Sequence, residues 1–370
     1  MGFGSSADGV HWEALPPAAL QSSRAGANIT APGFEIGGVA PLVNPATNQT
    51  DWYAFVCMAH QELPAAIDGR VGCFTFVSRI NPGGPYELAR RNYALLAYRQ
   101  LGTDPEYAYY VRYYHGTDEA GDPVLLANYQ VYDRAHWKHE QGIRAYMSPL
   151  KKVVLDPDDG ALQLVWWQDN DKLKNATSFT DWSRDSDEEG STDRRRGAGG
   201  AGGIVVRLDE GRGSVVEGTV TWGAPGGFCF PYRGAASPGG GGGGGGGVFR
   251  AAYLLFEDAS VGIAATGESS TANCSCILQH NDTFGVTTAA PEPTRGLKLT
   301  AGMTATFRLM YRRGMYDVYI NDAFIISYAL PVQNGLEPNQ DVLITGTFAA
   351  ATPLHSWVLD LPRASFHRPG

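Results

Sequence analysis

Glu35 is the carboxylate whose neighbours best suit acid chemistry. Phe34, Ile36 and Val39 surround it with apolar side chains, and the glycines at 37 and 38 leave room for a ligand to approach. Apolar surroundings raise the pKa of a carboxyl group, which keeps it protonated and able to donate a proton. A single glutamate on a strand also commonly faces solvent without any role, so the residues alone leave both interpretations open.

Three further side chains are candidates for contact with a sugar. Trp12 and Trp52 carry flat aromatic faces of the kind that stack on the C–H surfaces of sugar rings. Arg112 lies in a tyrosine-rich run, where strand alternation puts it on the same face as Tyr114 and opposite to His115. Packing within the fold is the competing role for each of these residues.

One histidine cluster bears on metal binding. His136, His139 and Glu140 follow the order His-x-x-His-Glu, which differs from the HExxH arrangement of zinc enzymes. The sequence also contains no Gly-rich phosphate loop, nucleotide fingerprint or Ser-His-Asp arrangement. We therefore expect no metal and no cofactor.

The elements that must position these residues are strands. Short aromatic or β-branched runs recur between Gly, Pro, Asp and Asn, whereas the stretch 87–99 fits the 3.6-residue helical period poorly. Up to residue 167 the runs resemble several small antiparallel sheets, as in propeller blades. After residue 204 they are longer and alternate, as in a β-sandwich. The pattern predicts an all-β chain.

The domain boundaries follow from composition. We predict a partial β-propeller over 1–167, a linker or disordered loop over 168–203, and a β-sandwich over 204–361 that carries a loop of nine glycines at 239–247. Two apolar stripes are expected to form the two inner faces of the sandwich; the first is Phe307, Leu309 and Tyr311, and the second is Tyr316, Val318 and Ile320.

The segment from Ser5 to Trp12 reads Ser-Ser-Ala-Asp-Gly-Val-His-Trp. This order predicts a strand, a tight turn at Asp8-Gly9 and an aromatic residue opening the next strand. Similar segments recur once per blade in sugar-processing β-propellers, where they lie well inside the domain. Because this one begins close to Met1, we expect the chain to lack its first blades.

Several segments together resemble glycoside hydrolase family 32 and its divergent relatives. One pair is GSSADGVHWEALPP at 4–17 followed by FEIGGVAP at 34–41; the other is TFRLMYRRGMYDVYIND at 306–322 running on to YALP at 328–331. YMSPLKKVVLDPD at 146–158 is similar to the family's exit from its propeller. The resemblance covers most of residues 4–167 and 204–361.

The resemblance implies a five-bladed catalytic propeller followed by a β-sandwich. It also implies hydrolysis of an O-glycosidic bond, that of a fructoside for example, by a retaining mechanism with two carboxylates. Glu35 matches the place of the general acid. The family's Asn-Asp-Pro nucleophile motif and Arg-Asp-Pro motif are absent, and Asp104-Pro105 and Asp156-Pro157 come too late in the order. We expect slow hydrolysis by this chain, and a non-catalytic carbohydrate-binding relative or an inactive fragment of a longer enzyme stays the alternative.

Composition limits the partners. The formal net charge of −9 argues against nucleic-acid binding, which usually needs a basic face. The sequence has no run of 18 apolar residues, so no transmembrane helix and no membrane partner are predicted. A carbohydrate is the expected ligand, and nothing in the pattern indicates an oligomeric state.

Cysteines and glycosylation sequons bear on the compartment. The five cysteines include no CxxC pair, which argues against both a zinc site and a disulfide scaffold, and Cys57 and Cys73 are predicted to be buried thiols. Five Asn-x-Ser/Thr sequons favour a secretory route. A cytosolic protein in which they are accidental is the alternative.

Overall fold

The structure is a computed structural model of the 370-residue chain. It describes residues 3–15, 20–21, 34–44, 47–58, 70–88, 94–99, 107–133, 144–155, 162–182, 203–209, 211–221, 226–231, 249–255, 262–269, 304–312, 315–329, 341–346 and 354–361. The cluster at 136–140 and the glycine loop at 239–247 lie outside these residues. The chain divides into two units, Met1–Val165 and Trp166–Gly370, next to the boundary predicted at 167.

The first unit is built from short and medium strands. They are β1 (Phe3–Ser5), β2 (Glu13–Leu15), β3 (Leu20–Gln21), β4 (Phe34–Asn44), β5 (Gln49–Met58), β6 (Arg70–Ser78), β7 (Tyr86–Leu88), β8 (Ala94–Arg99), β9 (Tyr107–Thr117), β10 (Pro123–Asp133), β11 (Arg144–Met147), β12 (Lys151–Leu155) and β13 (Leu162–Trp166), the last of which ends on the first residue of the second unit.

Six of these strands form one sheet. Its strands follow the order β3-β7-β6-β5-β4, with β8 also paired to β6, and only β3 and β7 run parallel. The β4–β5 hairpin closes tightly because Asn48 adopts a left-handed φ of 53° and donates its N–H to the Asn44 carbonyl at 2.8 Å. Tyr53, Phe55 and Phe76 are almost fully buried in this sheet.

A second set of strands surrounds β10. β9 pairs with it along its whole length, from Tyr107 opposite Asp133 to Thr117 opposite Pro123. β11 and β12 pair with successive parts of the other side of β10. β9 also packs against β4, β5 and β6, so it covers the sheet that carries Glu35.

The second unit contains two antiparallel sheets. Its strands are β14 (Thr180–Asp181), β15 (Gly203–Arg207), β16 (Ser214–Thr221), β17 (Gly226–Pro231), β18 (Phe249–Leu255), β19 (Gly262–Ser269), β20 (Thr304–Arg312), β21 (Met315–Ile320), β22 (Ala323–Ala329), β23 (Asp341–Gly346) and β24 (His355–Val358). One sheet has the order β15-β23-β17-β18-β19, and the other has the order β22-β21-β20-β16-β24-β14.

The two apolar stripes of the second unit share one sheet, not two. β20 and β21 are adjacent, with Phe307 opposite Ile320 and Leu309 opposite Val318. Only two residues separate the strands in the chain, so they form a hairpin whose opposite residues lie on one face. The prediction that the stripes form two inner faces is therefore wrong.

The expected linker is partly ordered structure. Residues 168–182 contain two 3-10 helices, Gln168–Leu173 and Ala176–Ser178, and the strand β14, which pairs with β24. Asn175 caps the second helix, since its side-chain oxygen accepts the Thr177 N–H at 3.0 Å. Polar side chains in this segment form hydrogen bonds with neighbouring backbone groups. Composition alone does not distinguish such an ordered polar segment from a solvated loop.

The fold class predicted from the sequence is confirmed. The structure is all-β, with small propeller-type sheets in the first unit followed by a two-sheet unit of sandwich type, and residues 87–99 contribute strands β7 and β8. The number of blades stays a prediction. In the portions of the chain that the structure describes, there is no helix of the length and apolar character needed to cross a membrane.

Candidate functional site

Glu35 lies at the start of β4, where the strand contains a β-bulge. Gly37 is opposite Val56 on β5, yet Glu35, two residues earlier, is opposite the very next residue, Cys57. Ile36 is therefore the extra residue of the bulge. In an uninterrupted ladder Ile36 would face Cys57, and Glu35 would face Met58 on the other side of the sheet. Bulges of this kind re-aim single residues and are common beside active sites.

The bulge decides which sheet face carries Glu35. Residues directly opposite each other in paired strands share a face, and successive residues alternate. Cys57 and Phe55 fall on one face of β5, and Gly38 is the partner of Phe55 on β4. The register therefore places Glu35 and Gly38 on the same face.

The space beside Gly38 is open. No described atom lies within 4 Å of a Cβ built on this residue, and its φ lies outside the left-handed range. Conformation alone therefore does not require a glycine here. This open space is consistent with the expectation that a ligand can approach the strand at the glycines.

Phe55 connects this sheet to β9. Its ring stacks on Tyr113 with the ring centroids 3.6 Å apart. Burial raises the pKa of the Tyr113 hydroxyl well above its ordinary value. Among the described residues, neither the Tyr113 hydroxyl nor the hydroxyl of Thr75, which is opposite Phe55 on β6, has a hydrogen-bond partner. Unpartnered buried hydroxyls are uncommon in cores and are a frequent mark of sites that hold water or ligand.

Trp52 lies on the same strand as Phe55 but at another height and on the other face. It is half-buried and opposite Pro41 on β4 and Ser78 on β6. Cys57 lies five positions further along the strand, which is about 17 Å in an extended chain. The register does not bring Trp52 and Glu35 to the same point of the sheet.

Arg112 lies on β9, exposed and opposite Asn128 of β10. Its alternation partner Tyr114 is also exposed, and the Tyr114 hydroxyl donates to Asn128 at 3.4 Å, whereas Tyr113 between them packs on Phe55. The predicted alternation of Arg112 and Tyr114 against Tyr113 agrees with these positions. Whether Arg112 contacts a sugar stays a prediction.

The predicted turn at Asp8-Gly9 is present and joins β1 to β2. The Asp8 carboxylate accepts hydrogen bonds from the Ser6 hydroxyl, from the backbone N–H groups of Val10 and His11, and from the ring Nδ1 of His11 at 2.6 Å. The His11 side chain, followed by these backbone donors, holds the pKa of Asp8 well below its usual range. Gly9 supplies the left-handed φ of 75° that the turn requires.

Trp12 follows this turn and is 67% exposed. It lies close to Gly4 on the neighbouring strand, where a Cβ would be 3.3 Å from the Trp12 ring. The described residues therefore leave most of the indole face accessible, as stacking on a sugar requires. Trp12 belongs to a separate two-stranded hairpin, and the described pairings do not link it to Glu35, Trp52 or Arg112.

A cluster of charged and aromatic residues in the second unit was missed by the sequence analysis. Arg308 on β20 donates from Nε to Glu217 and from Nη1 to Asp322 at 2.6 Å, and its guanidinium lies 4.2 Å above the Trp166 ring. Lys174 donates to the same Glu217 oxygen at 2.7 Å and lies over Trp357.

The carboxylates dominate the electrostatics of this cluster. Although burial lowers the pKa of Arg308, Glu217 and Asp322 raise it by more, so the guanidinium stays charged. All its cations are paired with carboxylates and stacked on rings, which is typical of structural clusters. The one sequence signal was an arginine in the middle of an alternating apolar strand.

No group of three or more His, Cys, Asp or Glu side chains with a metal-binding arrangement occurs in the part of the chain that the structure describes.

Comparisons with known proteins give remote structural likenesses. No protein-family model and no curated protein sequence matches the chain. Fructan 1-exohydrolase IIa from Cichorium intybus aligns with 99% of this chain and 67% of its own, at 9% identity and a TM-score of 0.47. The fructofuranosidase of Schwanniomyces occidentalis aligns with 89% of this chain and 60% of its own, at 9% identity and a TM-score of 0.45. The β-fructofuranosidase of Aspergillus kawachii aligns with 95% of this chain and 63% of its own, at 12% identity and a TM-score of 0.46. The chain therefore spans 60–67% of the length of these three structures.

Proposed function

We propose that this chain is a glycoside-hydrolase-like protein that binds a carbohydrate of the fructoside class at the sheet face carrying Glu35. The observation that carries the proposal is the bulge at Glu35-Ile36, which puts the candidate acid on the same face as the open space beside Gly38. The family resemblance of the segments at 4–17, 34–41 and 306–322 supplies the substrate class. The solved structures named above are fructoside hydrolases, but the proposal rests on these motifs and this register.

Glu35 is proposed as the general acid. In its protonated form it donates a proton to the glycosidic oxygen as the bond to the anomeric carbon breaks, so the departing sugar leaves as a neutral alcohol. A retaining reaction also needs a second carboxylate about 5–5.5 Å from the first to attack the anomeric carbon. Because the sequence has no Asn-Asp-Pro motif, we expect hydrolysis by this chain to be slow.

The first test compares hydrolysis by the wild-type chain, Glu35→Gln and the matched control Glu87→Gln. Glu87 is an exposed glutamate on β7 of the same sheet, opposite Val77. Loss of a general acid lowers the rate by about 10²–10⁴. We expect this loss in kcat/KM of Glu35→Gln on sucrose, a smaller loss on a nitrophenyl glycoside with a good leaving group, and no change in the control. Full activity of Glu35→Gln on sucrose overturns the assignment.

A non-catalytic carbohydrate-binding function is the second candidate. It is favoured by the missing aspartate motifs and by the exposed face of Trp12. Calorimetric titration with sucrose and with 1-kestose separates the two functions. Binding without turnover, unaffected by Glu35→Gln and weakened by Trp12→Ala, supports a binding protein. Absence of both binding and hydrolysis overturns the proposed function in either form.

A further inference from the structure

Two of the five cysteines are direct cross-strand partners. The register of β5 against β6 runs without interruption from Trp52 opposite Ser78 to Met58 opposite Gly72, and it places Cys57 opposite Cys73. The third cysteine within the described residues, Cys229 on β17, is opposite Tyr253 and Leu343. Cys274 and Cys276 lie outside the described residues. Among the described residues, Cys57 and Cys73 are the two cysteines that lie opposite each other on paired strands.

The spacing of such partners suits a covalent bond. Opposite residues of an antiparallel pair have Cα atoms about 4.5 or 5.5 Å apart. Disulfides span Cα distances of about 4.4–6.8 Å. Backbone register alone thus brings the two residues within bridging range, without rearrangement of either strand.

We propose that Cys57 and Cys73 form a cross-strand disulfide when the protein meets a disulfide oxidant such as oxidised glutathione. One cysteine thiolate attacks the oxidant and releases one glutathione thiolate, leaving a mixed disulfide. The other cysteine thiolate then attacks the protein sulfur of that bond and releases the second glutathione. Two protein thiols are oxidised by two electrons, and the oxidant takes up both electrons and both protons as two thiols.

The disulfide would link β5 covalently to β6 at the cross-strand position that also includes Glu35 on β4. Glu35, Cys57, Cys73 and Leu96 occupy successive positions across β4, β5, β6 and β8. The closed loop contains the 15 residues between the cysteines (58 to 72). Closing a loop of this size restricts the unfolded chain and stabilises the folded one. The proposal goes beyond the proposed function, because it depends on strand register and not on sugar chemistry.

The test uses the full chain incubated with oxidised or reduced glutathione and then alkylated under denaturing conditions. Peptide mapping without reduction should show one linked pair of peptides containing Cys57 and Cys73, two hydrogens lighter than the free thiols. Alkylated Cys57 and Cys73 after oxidation, or linkage of either to Cys229, Cys274 or Cys276, overturns the proposal. This result stands on the wild-type chain, so it does not depend on whether a variant folds.

Thermal unfolding gives a second readout. Oxidation should raise the Tm of the wild-type chain and of the control Cys229→Ser by roughly 5–10 °C. Cys57→Ser and Cys73→Ser should show no such difference between oxidised and reduced samples. An equal rise in these two variants overturns the proposal. Neither readout uses a carbohydrate, so failure here is distinguishable from failure of the proposed function.

Discussion

The Arg308 cluster of the second unit and the surroundings of Phe55 in the first unit differ in how their polar side chains are paired. In the second unit, Arg308 lies between two carboxylates and over an indole ring. In the first unit, the hydroxyls of Thr75 and Tyr113 are buried on either side of Phe55 without a hydrogen-bond partner among the described residues. Fully paired groups specify a rigid structure, whereas unpartnered ones tend to mark sites. The contrast teaches that paired charges hold the Arg308 cluster together, whereas the hydroxyls beside Phe55 are free to bind a further group.

Two glycines show the same contrast in packing. A Cβ on Gly218 of β16 would lie 2.7 Å from the Phe307 ring and 3.0 Å from Leu354, so this glycine is required by close packing. A Cβ on Gly38 would meet no described atom within 4 Å. Glycine therefore has a steric reason at position 218 that it lacks at position 38.

Removal of Arg308 should have the largest effect on stability. Arg308→Met removes the hydrogen bonds to Glu217, which keeps Lys174, and to the exposed Asp322; two hydrogen bonds between charged groups contribute about 3 kcal/mol together. We expect a loss of roughly 6–12 °C in Tm by calorimetry. The control Arg212→Met removes a more exposed pair with Asp209 and should cost less than about 1 kcal/mol. Equal losses in both variants would contradict a structural role for the cluster.

Alanine substitutions at the two glycines should have the next largest difference in their effects on stability. Gly218→Ala forces Phe307 or Leu354 to move, and overpacking of this kind costs about 2 kcal/mol. Gly38→Ala enters open space and should change the free energy of unfolding by less than about 0.5 kcal/mol. Urea unfolding of both variants measures the difference. A large loss in Gly38→Ala would show that the space beside it is filled.

Removal of single tyrosine hydroxyls should have smaller effects of different sign. The Tyr86 hydroxyl donates to the Pro82 carbonyl at 2.6 Å, so Tyr86→Phe should cost about 1 kcal/mol. Tyr113→Phe removes a hydroxyl with no described partner and should be neutral or stabilising. Destabilisation by Tyr113→Phe as large as that of Tyr86→Phe would show that the Tyr113 hydroxyl has a partner after all.

Acid should have the smallest effect, confined to the first hairpin. Because hydrogen bonds lower the pKa of Asp8 in the folded chain, its contribution is present above the ordinary pKa of about 4 and is lost as the pH falls through the lowered value. The movement of the Val10 and His11 amide resonances that follows protonation of the Asp8 carboxyl should therefore appear only well below a pH of about 4. In Asp8→Asn this acid-dependent movement should disappear; its persistence would assign it to another group.

Local patterns predicted those features that depend on neighbouring residues. The Asp8-Gly9 turn follows from local turn chemistry and the all-β character of the chain from its short apolar runs, and both are present. The Arg308 cluster was not predictable, because Glu217 lies 91 residues earlier in the chain. Residues 168–182 were misjudged because their polar side chains bind strand β24 and backbone.

The candidate acid itself shows the limit of strand patterns. Sequence alternation identifies Glu35 as part of a strand, but the face it occupies depends on a one-residue bulge. Such a bulge is set by the pairing of two strands and leaves no mark in the local sequence. Glu35 could therefore be predicted as a candidate acid from the sequence, whereas its position opposite Cys57 could not.

The bulge also has a consequence for how this strand tolerates insertion and deletion during evolution. Ile36 is the extra residue, so loss of its codon would make Glu35 the direct neighbour of Gly37. A straight ladder would then still place Glu35 opposite Cys57, since Gly37 stays opposite Val56. A strand without the bulge would thus hold the carboxylate in the same register as the present strand does. A gap of one residue at this point in an alignment would leave the position of Glu35 in the sheet unchanged.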